Sequence, residues 1–442
     1  MVRSFAHPLR LLFAVVLLTS AGSLLSSYAT TATAVDVEGR INGSDPGAGP
    51  IPSDAALTVV STQGFYVTGE RADLVAFTDS GRIVFHNRSY GAYFDVDPVS
   101  GTRYTVEYVA AEYLPGSYCS RTRCTRNVVE RVNLSSGETD RVYAAITPGV
   151  PGTRWHDVDR LNDTHLVVAD ITNDRVTVVD TRTGEATWTW SARDVFRFPE
   201  GGGDPNDWTH LNDVEVLADG RIMVSLRNFD RVVFLDPGRG LVANWTLGAE
   251  NDHGTLFEQH NPDYIPATRG GPAVLVADSE NNRVLEYRRE GGTWKRGWTW
   301  RDRRLQWPRD ADRLPNGNTL IVDSHGDRVL EVTPRGRTVW NVTVGMPYDA
   351  ERLGTGDESA GGRALSGATE RTGWITDDPS VRDDLLLALK TRLSGPLLNG
   401  LLYLAPEWVR FGDLLLLGVV LLDALAWGAF EARRGPLRRR RG

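Results

Sequence analysis

Four segments of roughly fifty residues repeat through the middle of this chain, and each returns a basic side chain to the same phase. Aligning them places His156, His210, His260 and Arg309 together, each followed at +3 by an aspartate: Asp159, Asp213, Asp263 and Asp312. The outer two make the register plain. His156-Asp-Val-Asp-Arg-Leu161 differs from Arg309-Asp-Ala-Asp-Arg-Leu314 only at the lead and at one apolar position. Each segment also has an Asn/Asp-Arg-Val turn (Arg175, Arg231, Arg283, Arg328) and closes on a tryptophan (Trp190, Trp245, Trp300, Trp340). A period of this length belongs to β-propeller blades, in which tryptophan at a fixed place packs between neighbouring sheets. The arginines read as turn or inter-blade ion pairs.

Short β-rich runs from Leu57 to Tyr143, punctuated by Gly, Asp and Ser, add two weaker blades. The predicted fold is therefore all-β, a six-bladed β-propeller over 57–345, with the strand near Leu57 closing the ring against the last blade. Around it the composition predicts a signal peptide or signal anchor (1–34), a linker (35–56) and a loop over one face (346–376). A membrane-proximal helical segment (377–411) and a transmembrane helix (412–432) follow, the helical spacing running from Ser380 to Leu393. The chain ends in a basic cytoplasmic tail (433–442). Arg3, Arg10 and the arginine tail put both ends inside and the body outside by the positive-inside rule. Cys119 and Cys124, the only cysteines, then suit a local disulfide in an oxidising compartment. Six Asn-x-Ser/Thr sequons agree with that side. Residues 35–410 carry 54 acidic against 41 basic side chains, and so acidic a body argues against nucleic acid as partner.

In a propeller the innermost strands start beside the central channel, so one repeat phase converges on one mouth. A ring of three histidines and an arginine there suits few guests. Three imidazoles could bind a metal, but a guanidinium in the same mouth repels a divalent ion. A tetrahedral oxyanion fits better, held by fixed donors, and one imidazole could attack its sulfur or phosphorus. The bland alternative is a histidine hydrogen-bonded to its own +3 aspartate. His86, His165, His253 and His325 are off phase and read as surface or turn residues, with His253 close enough in sequence to reach the pocket.

Asp207-Trp208-Thr209-His210-Leu211-Asn212, with Ser225-Leu226-Arg227 ending seventeen positions after the histidine, resembles the signature of the arylsulfate sulfotransferases that use no nucleotide donor. Gln259-His260-Asn261 and His156-Asp157 resemble two further motifs of that family. The resemblance implies a six-bladed propeller and ping-pong transfer of a sulfuryl group from a phenolic sulfate ester to a phenol through a sulfohistidine, with no cofactor or metal. It makes His260 the nucleophile, with His156, His210 and Arg227 holding the sulfuryl oxygens and moving protons. Asn212 is a supporting donor, and Arg309 joins the substrate-binding set by its phase. The run Ala277-Asp-Ser-Glu-Asn-Asn-Arg283 departs from the family pattern, which puts the acceptor in question. The runner-up is a non-catalytic extracellular propeller that keeps an anion pocket for binding or surface assembly. A third reading, a quinone-dependent propeller dehydrogenase, rests on Asp180-Thr-Arg-Thr-Gly184 and the blade-end tryptophans, and six blades with a histidine ring speak against it.

Overall fold

The computed structural model of the chain describes residues 6–37, 51, 55–64, 72–149, 152–201, 204–356, 358, 361–365, 389–390, 392–406 and 408–433. Among these, six antiparallel sheets are arranged as the blades of a β-propeller. Blade one runs from its inner strand Ala92–Pro98 through Thr105–Pro115 and Arg123–Asn133 to Thr139–Pro148. The inner strands of blades two to five are Val158–Asn162, Leu211–Val216, His260–Ile265 and Pro308–Arg313.

The sixth blade is shared between the chain ends. Its inner strand is Pro347–Arg352, and Leu57–Thr62, Leu74–Thr78 and Ile83–Asn87 lie outside it. Leu57–Thr62 does pair with the last strand, Val59 opposite Glu351. The boundary drawn at 345 therefore falls too early, because 347–352 is sheet and not loop. Its buried but polar Asp349 and Glu351 hide the strand from a hydrophobicity pattern.

Every sheet is covered on both faces, so the middle strands read as continuous apolar runs; Leu74–Thr78 and Ala273–Asp278 are buried at every position. Six apolar clusters each fill one gap between neighbouring blades, such as Val167, Trp190, Leu211 and Val224 between blades two and three. The closing tryptophans are packing residues there, and two also reach the next blade: Trp300 Nε1 donates to the Gly336 carbonyl (3.1 Å) and Trp340 Nε1 to that of Asp79 (2.8 Å).

The Asn/Asp-Arg turns have a sharper role. Asp174, Asp230, Asn282 and Asp327 all sit in the left-handed region, at φ of 52°, 52°, 51° and 51°, which short Asx side chains tolerate. Each Asx side chain then accepts a backbone N–H from the segment entering the next blade: Thr209 (3.0 Å), Glu258 (2.9 Å), Trp307 (2.8 Å) and Met346 (3.4 Å). Three of the following arginines pair within their own blade, Arg175 to Asp170 and Arg328 to Asp323 at 2.6 and 2.7 Å, and Arg283 to Asp278. They are turn pairs first, and two also reach the segment that leads into their own blade, Arg328 to Asp302 (3.0 Å) and Arg283 to the Gly254 carbonyl (2.8 Å).

Among the described residues three α-helices accompany the propeller: α1 (Ala6–Val35), α2 (Gly395–Leu404) and α3 (Phe411–Ala432). α1 and α3 are long and apolar enough to span a membrane. They pack antiparallel, with Arg10 bonded to Glu431 (2.6 Å) at one end and Tyr28 against Trp408 (ring centroids 5.5 Å apart) at the other. Most of the expected helix 380–393, the expected strand Phe65–Val67 and residues 366–376 lie outside the described residues.

Candidate functional site

The repeat phase does converge, and it takes in six residues instead of four. Phe94, His156, His210, His260, Arg309 and Tyr348 stand within two residues of the start of the six inner strands and close a ring at one mouth of the channel. Ring centroids are 4.7 Å apart for Phe94 and His156, 5.2 Å for His156 and His210, and 6.4 Å for His210 and His260. Arg309 donates to His260 Nε2, its guanidinium carbon lies 5.4 Å from the centre of the Tyr348 ring, and Tyr348 meets Phe94 at 5.0 Å. Phe94 and Tyr348 were missed because only basic leads were aligned. Their segments, Phe94-Asp-Val-Asp97 and Tyr348-Asp-Ala-Glu351, carry the same acidic spacing.

The residues at +1 staple the blades together. Asp349 accepts from the Val96 N–H (2.7 Å), Asp95 from that of Val158 (3.3 Å), and Asp157 from that of Val214. The +3 acids lie deeper in the channel. Neither His210 nor His260 bonds to its own: His210 Nδ1 is 2.8 Å from Asp207, three residues before it, and His260 Nδ1 is 2.8 Å from Ser279 Oγ.

Those two contacts decide the tautomers. Ser279 Oγ donates its own proton to the Pro308 carbonyl (2.7 Å), so it accepts from Nδ1–H of His260, and Nε2 keeps the lone pair. Asp207 likewise holds the Nδ1–H of His210 and leaves Nε2 for the ring. Burial, then Arg309, Arg227 and the other histidines, hold the His260 pKa well below the ordinary imidazole value. His156 is lowered in the same way, by burial and then by His210. His210 is lowered by burial and Arg227, with Asp207 opposing. All three are therefore neutral near pH 7.

Arg227 opens the turn after the second strand of blade three; it pairs with Glu258 and donates to Asn228 Oδ1 (3.0 Å). Arg309 lies over Trp307, its guanidinium carbon 3.7 Å from the ring centre. Asn212 is fully buried and donates to the Gln259 carbonyl (3.1 Å), so it positions the strand of His260 from behind the ring. His156 Nδ1 is buried without a hydrogen-bond partner among the described residues, an open valence toward a guest. Cys119 and Cys124 form a disulfide across a hairpin of blade one. The off-phase His325, expected at the surface or in a turn, does lie in a turn, but a buried one, where it stacks on Trp307 at 4.5 Å. Cation-type groupings of ligand atoms among the described residues are carboxylate sets, Asp95/Asp97/Glu358 and Asp312/Glu351/Glu358, and include none of the three ring histidines.

Ser279, Asp207, Trp307 and Glu258 were not singled out as site residues by sequence. Ser279 had a signal, since it lies in the run that departs from the family pattern.

Three imidazoles, two guanidiniums and a histidine lone pair at one mouth suit an oxyanion and a nucleophile. Residues 157–261 match the arylsulfotransferase (ASST) family. The matched stretch takes in His210, Asn212, Arg227 and His260; His156 stands one residue before it and Arg309 beyond it. No curated protein matches the chain. Solved structures similar to it include a protein of unknown function from Bacteroides caccae (12% identity, TM-score 0.48) and the periplasmic gluconolactonase PpgL of Pseudomonas aeruginosa (15%, TM-score 0.46). Each likeness covers 68% of this chain and 100% of the other. At such identities no chemistry carries over to the arylsulfotransferase-like ring.

Proposed function

We propose that the protein is an arylsulfotransferase that moves a sulfuryl group from a phenolic sulfate ester to a phenol through a sulfohistidine on His260. The observation that carries this reading is the Ser279-held tautomer, which turns the neutral Nε2 of His260 into the ring beside two guanidiniums. In the first half-reaction Arg309 shifts its N–H from Nε2 of His260 to the sulfuryl oxygens, Nε2 attacks sulfur and the S–O bond to the aryl group breaks, the phenolate leaving as the anion with that electron pair. In the second the acceptor loses its proton, its oxygen attacks sulfur and the N–S bond breaks. Arg309 and Arg227 neutralise the sulfuryl oxygens, as fixed donors do in loose phosphoryl-type transition states. His210 is the proton carrier, because Asp207 orients it and stabilises its charged form, whereas His156 has no carboxylate bonded to it. Phe94, Trp307 and Tyr348 supply the aromatic walls for the two phenols.

The family match and the two apolar helices agree with this assignment and with an anchored enzyme. We place the propeller outside the cell and the basic tail in the cytoplasm, on the arginine asymmetry of the ends. The test is to give the full-length protein 4-nitrophenyl sulfate with and without a second phenol and to follow nitrophenolate. Release that needs the acceptor and vanishes in His260→Ala is expected. An unchanged rate in that variant would sink the assignment.

A further inference from the structure

A second cationic site lies apart from the ring, where the propeller meets α3. A cavity of about 150 Å³ is lined by Arg303, Arg304, Lys390 and Arg410, with His325 and the first residues of α3 completing the wall. Among the described residues that line it, none is acidic. The carboxylates around it are turned to other duties: Asp327 pairs with Arg410 (3.4 Å), Asp302 and Asp323 both hold Arg328 (3.0 and 2.7 Å), and Asp413 accepts the Arg410 N–H (2.9 Å). With Arg328 counted, five cations against four carboxylates leave this corner positive, on a body that is otherwise acidic. The crowding is felt chemically. Arg304 is lowered first by Arg328, and burial pushes Lys390 down to about 8. His325, whose Nε2 is buried without a partner among the described residues, faces the same cavity, and the amino end of a 22-residue helix adds its positive dipole.

The level of the cavity in the molecule says which anion it meets. Phe411 and Gly412 line it, and they are the first residues of the span. Trp408, three residues before Phe411, meets Tyr28 edge-to-face, and aromatic side chains of this kind gather at the membrane–water boundary. Leu397, Leu401 and Leu404 of α2 are 59%, 50% and 66% exposed and form one ridge, while Leu398 and Leu402 are buried on the other face. Such a helix lies in the interface with its leucines in the acyl region. We propose that this cavity binds the phosphate head group of an anionic phospholipid in the leaflet next to the propeller, fixing the site face against the bilayer. Basic pockets beside transmembrane helices recognise lipid head groups by this chemistry. The assignment is independent of the reaction at the ring.

The test uses the full-length protein in a neutral detergent, titrated separately with phosphatidylglycerol, phosphatidylcholine and inorganic phosphate. Lipid retained per protein is read by native mass spectrometry, and the thermal midpoint is followed in parallel. Phosphatidylglycerol is expected to bind about tenfold tighter than phosphatidylcholine or better, and Arg304→Gln with Lys390→Gln to remove about tenfold of that, the loss of a charge-assisted bond or more. Equal retention of the two lipids would overturn the proposal. So would displacement of the lipid by millimolar phosphate, which would assign the cavity to a free anion. If the double variant does not fold, the wild-type comparison still decides, and Arg304→Lys, which keeps the charge, should retain the lipid.

Discussion

At the residue scale the chemistry turns on which nitrogen of His260 carries the proton. Ser279→Ala removes the acceptor that holds Nδ1–H, so kcat is expected to fall about tenfold with little change in KM for the donor, the share of one lost hydrogen bond. A change confined to KM would mean that Ser279 acts on substrate binding instead. The depressed pKa values have a direction that can be read in solution. Since burial and the arginines keep the three histidines neutral, the acid limb of kcat/KM should lie below 6.5, and activity should persist as pH falls through that value. A limb at or above 6.5 would contradict the electrostatics of the ring. The roles of His156, His210, His260 and Arg309 rest on a phase that was visible in sequence. Phe94 and Tyr348 share that phase, but aromatic leads do not announce chemistry and were passed over.

At the scale of an element the decisive unit is the Asx-Arg turn that joins the second and third strands of a blade. Its side chain holds the backbone just before the next blade's lead residue, so each blade aims its neighbour's contribution to the ring. Asp230 accepts from Glu258 and Asn251, both in the segment that enters the His260 strand. Asp230→Ala loses both bonds and puts alanine at positive φ, so it should destabilise the protein by about 2–3 kcal/mol and lower kcat as well. Asp230→Asn, which keeps an oxygen and tolerates the left-handed region, should recover most of both effects in chemical denaturation and turnover. The turns were legible as a repeated motif, and their reach into the next blade was not, because that contact is between residues 19 to 35 positions apart.

At the scale of the whole molecule the ring is closed by residues from both ends of the propeller. Ending the chain after 345 removes Pro347–Arg352, exposes the edge of Leu57–Thr62, uncovers the face of blade five on which the strand packs, and takes Tyr348 from the ring. Loss of cooperative unfolding in the truncated protein is the expected result, and an intact thermal transition would contradict the closure. The channel below the ring sets a second whole-molecule property. Burial raises Asp95, Asp213, Asp310, Glu215 and Glu358 well above the carboxylate range, and pushes Asp327 up to about 7. A carboxyl raised on folding contributes stability that is full below its unfolded value and is lost as pH rises through its folded one. Above about 7.5 the buried histidines add little slope, since the unfolded imidazoles too are then mostly neutral. The thermal midpoint should therefore fall as pH rises above that value through the titration of Asp157, pushed up to about 8 by burial, and a flat or rising midpoint would show the column to be ionised or otherwise compensated.

Local periodicity in the sequence was enough to determine an all-β propeller of six blades, the phase of its basic leads and the apolar ends, because blade strands repeat their pattern every fifty or so residues and each repeat meets the same surroundings. The tertiary structure alone decided that 347–352 is the innermost strand of the shared blade, that Ser279 and Asp207 choose the histidine tautomers, and that Asn212 stands behind the ring. It also decided where the cations of 303–304, 390 and 410 gather. These are contacts between residues far apart in sequence, set by how sheets pack around an axis, and no local pattern records a distance across a channel.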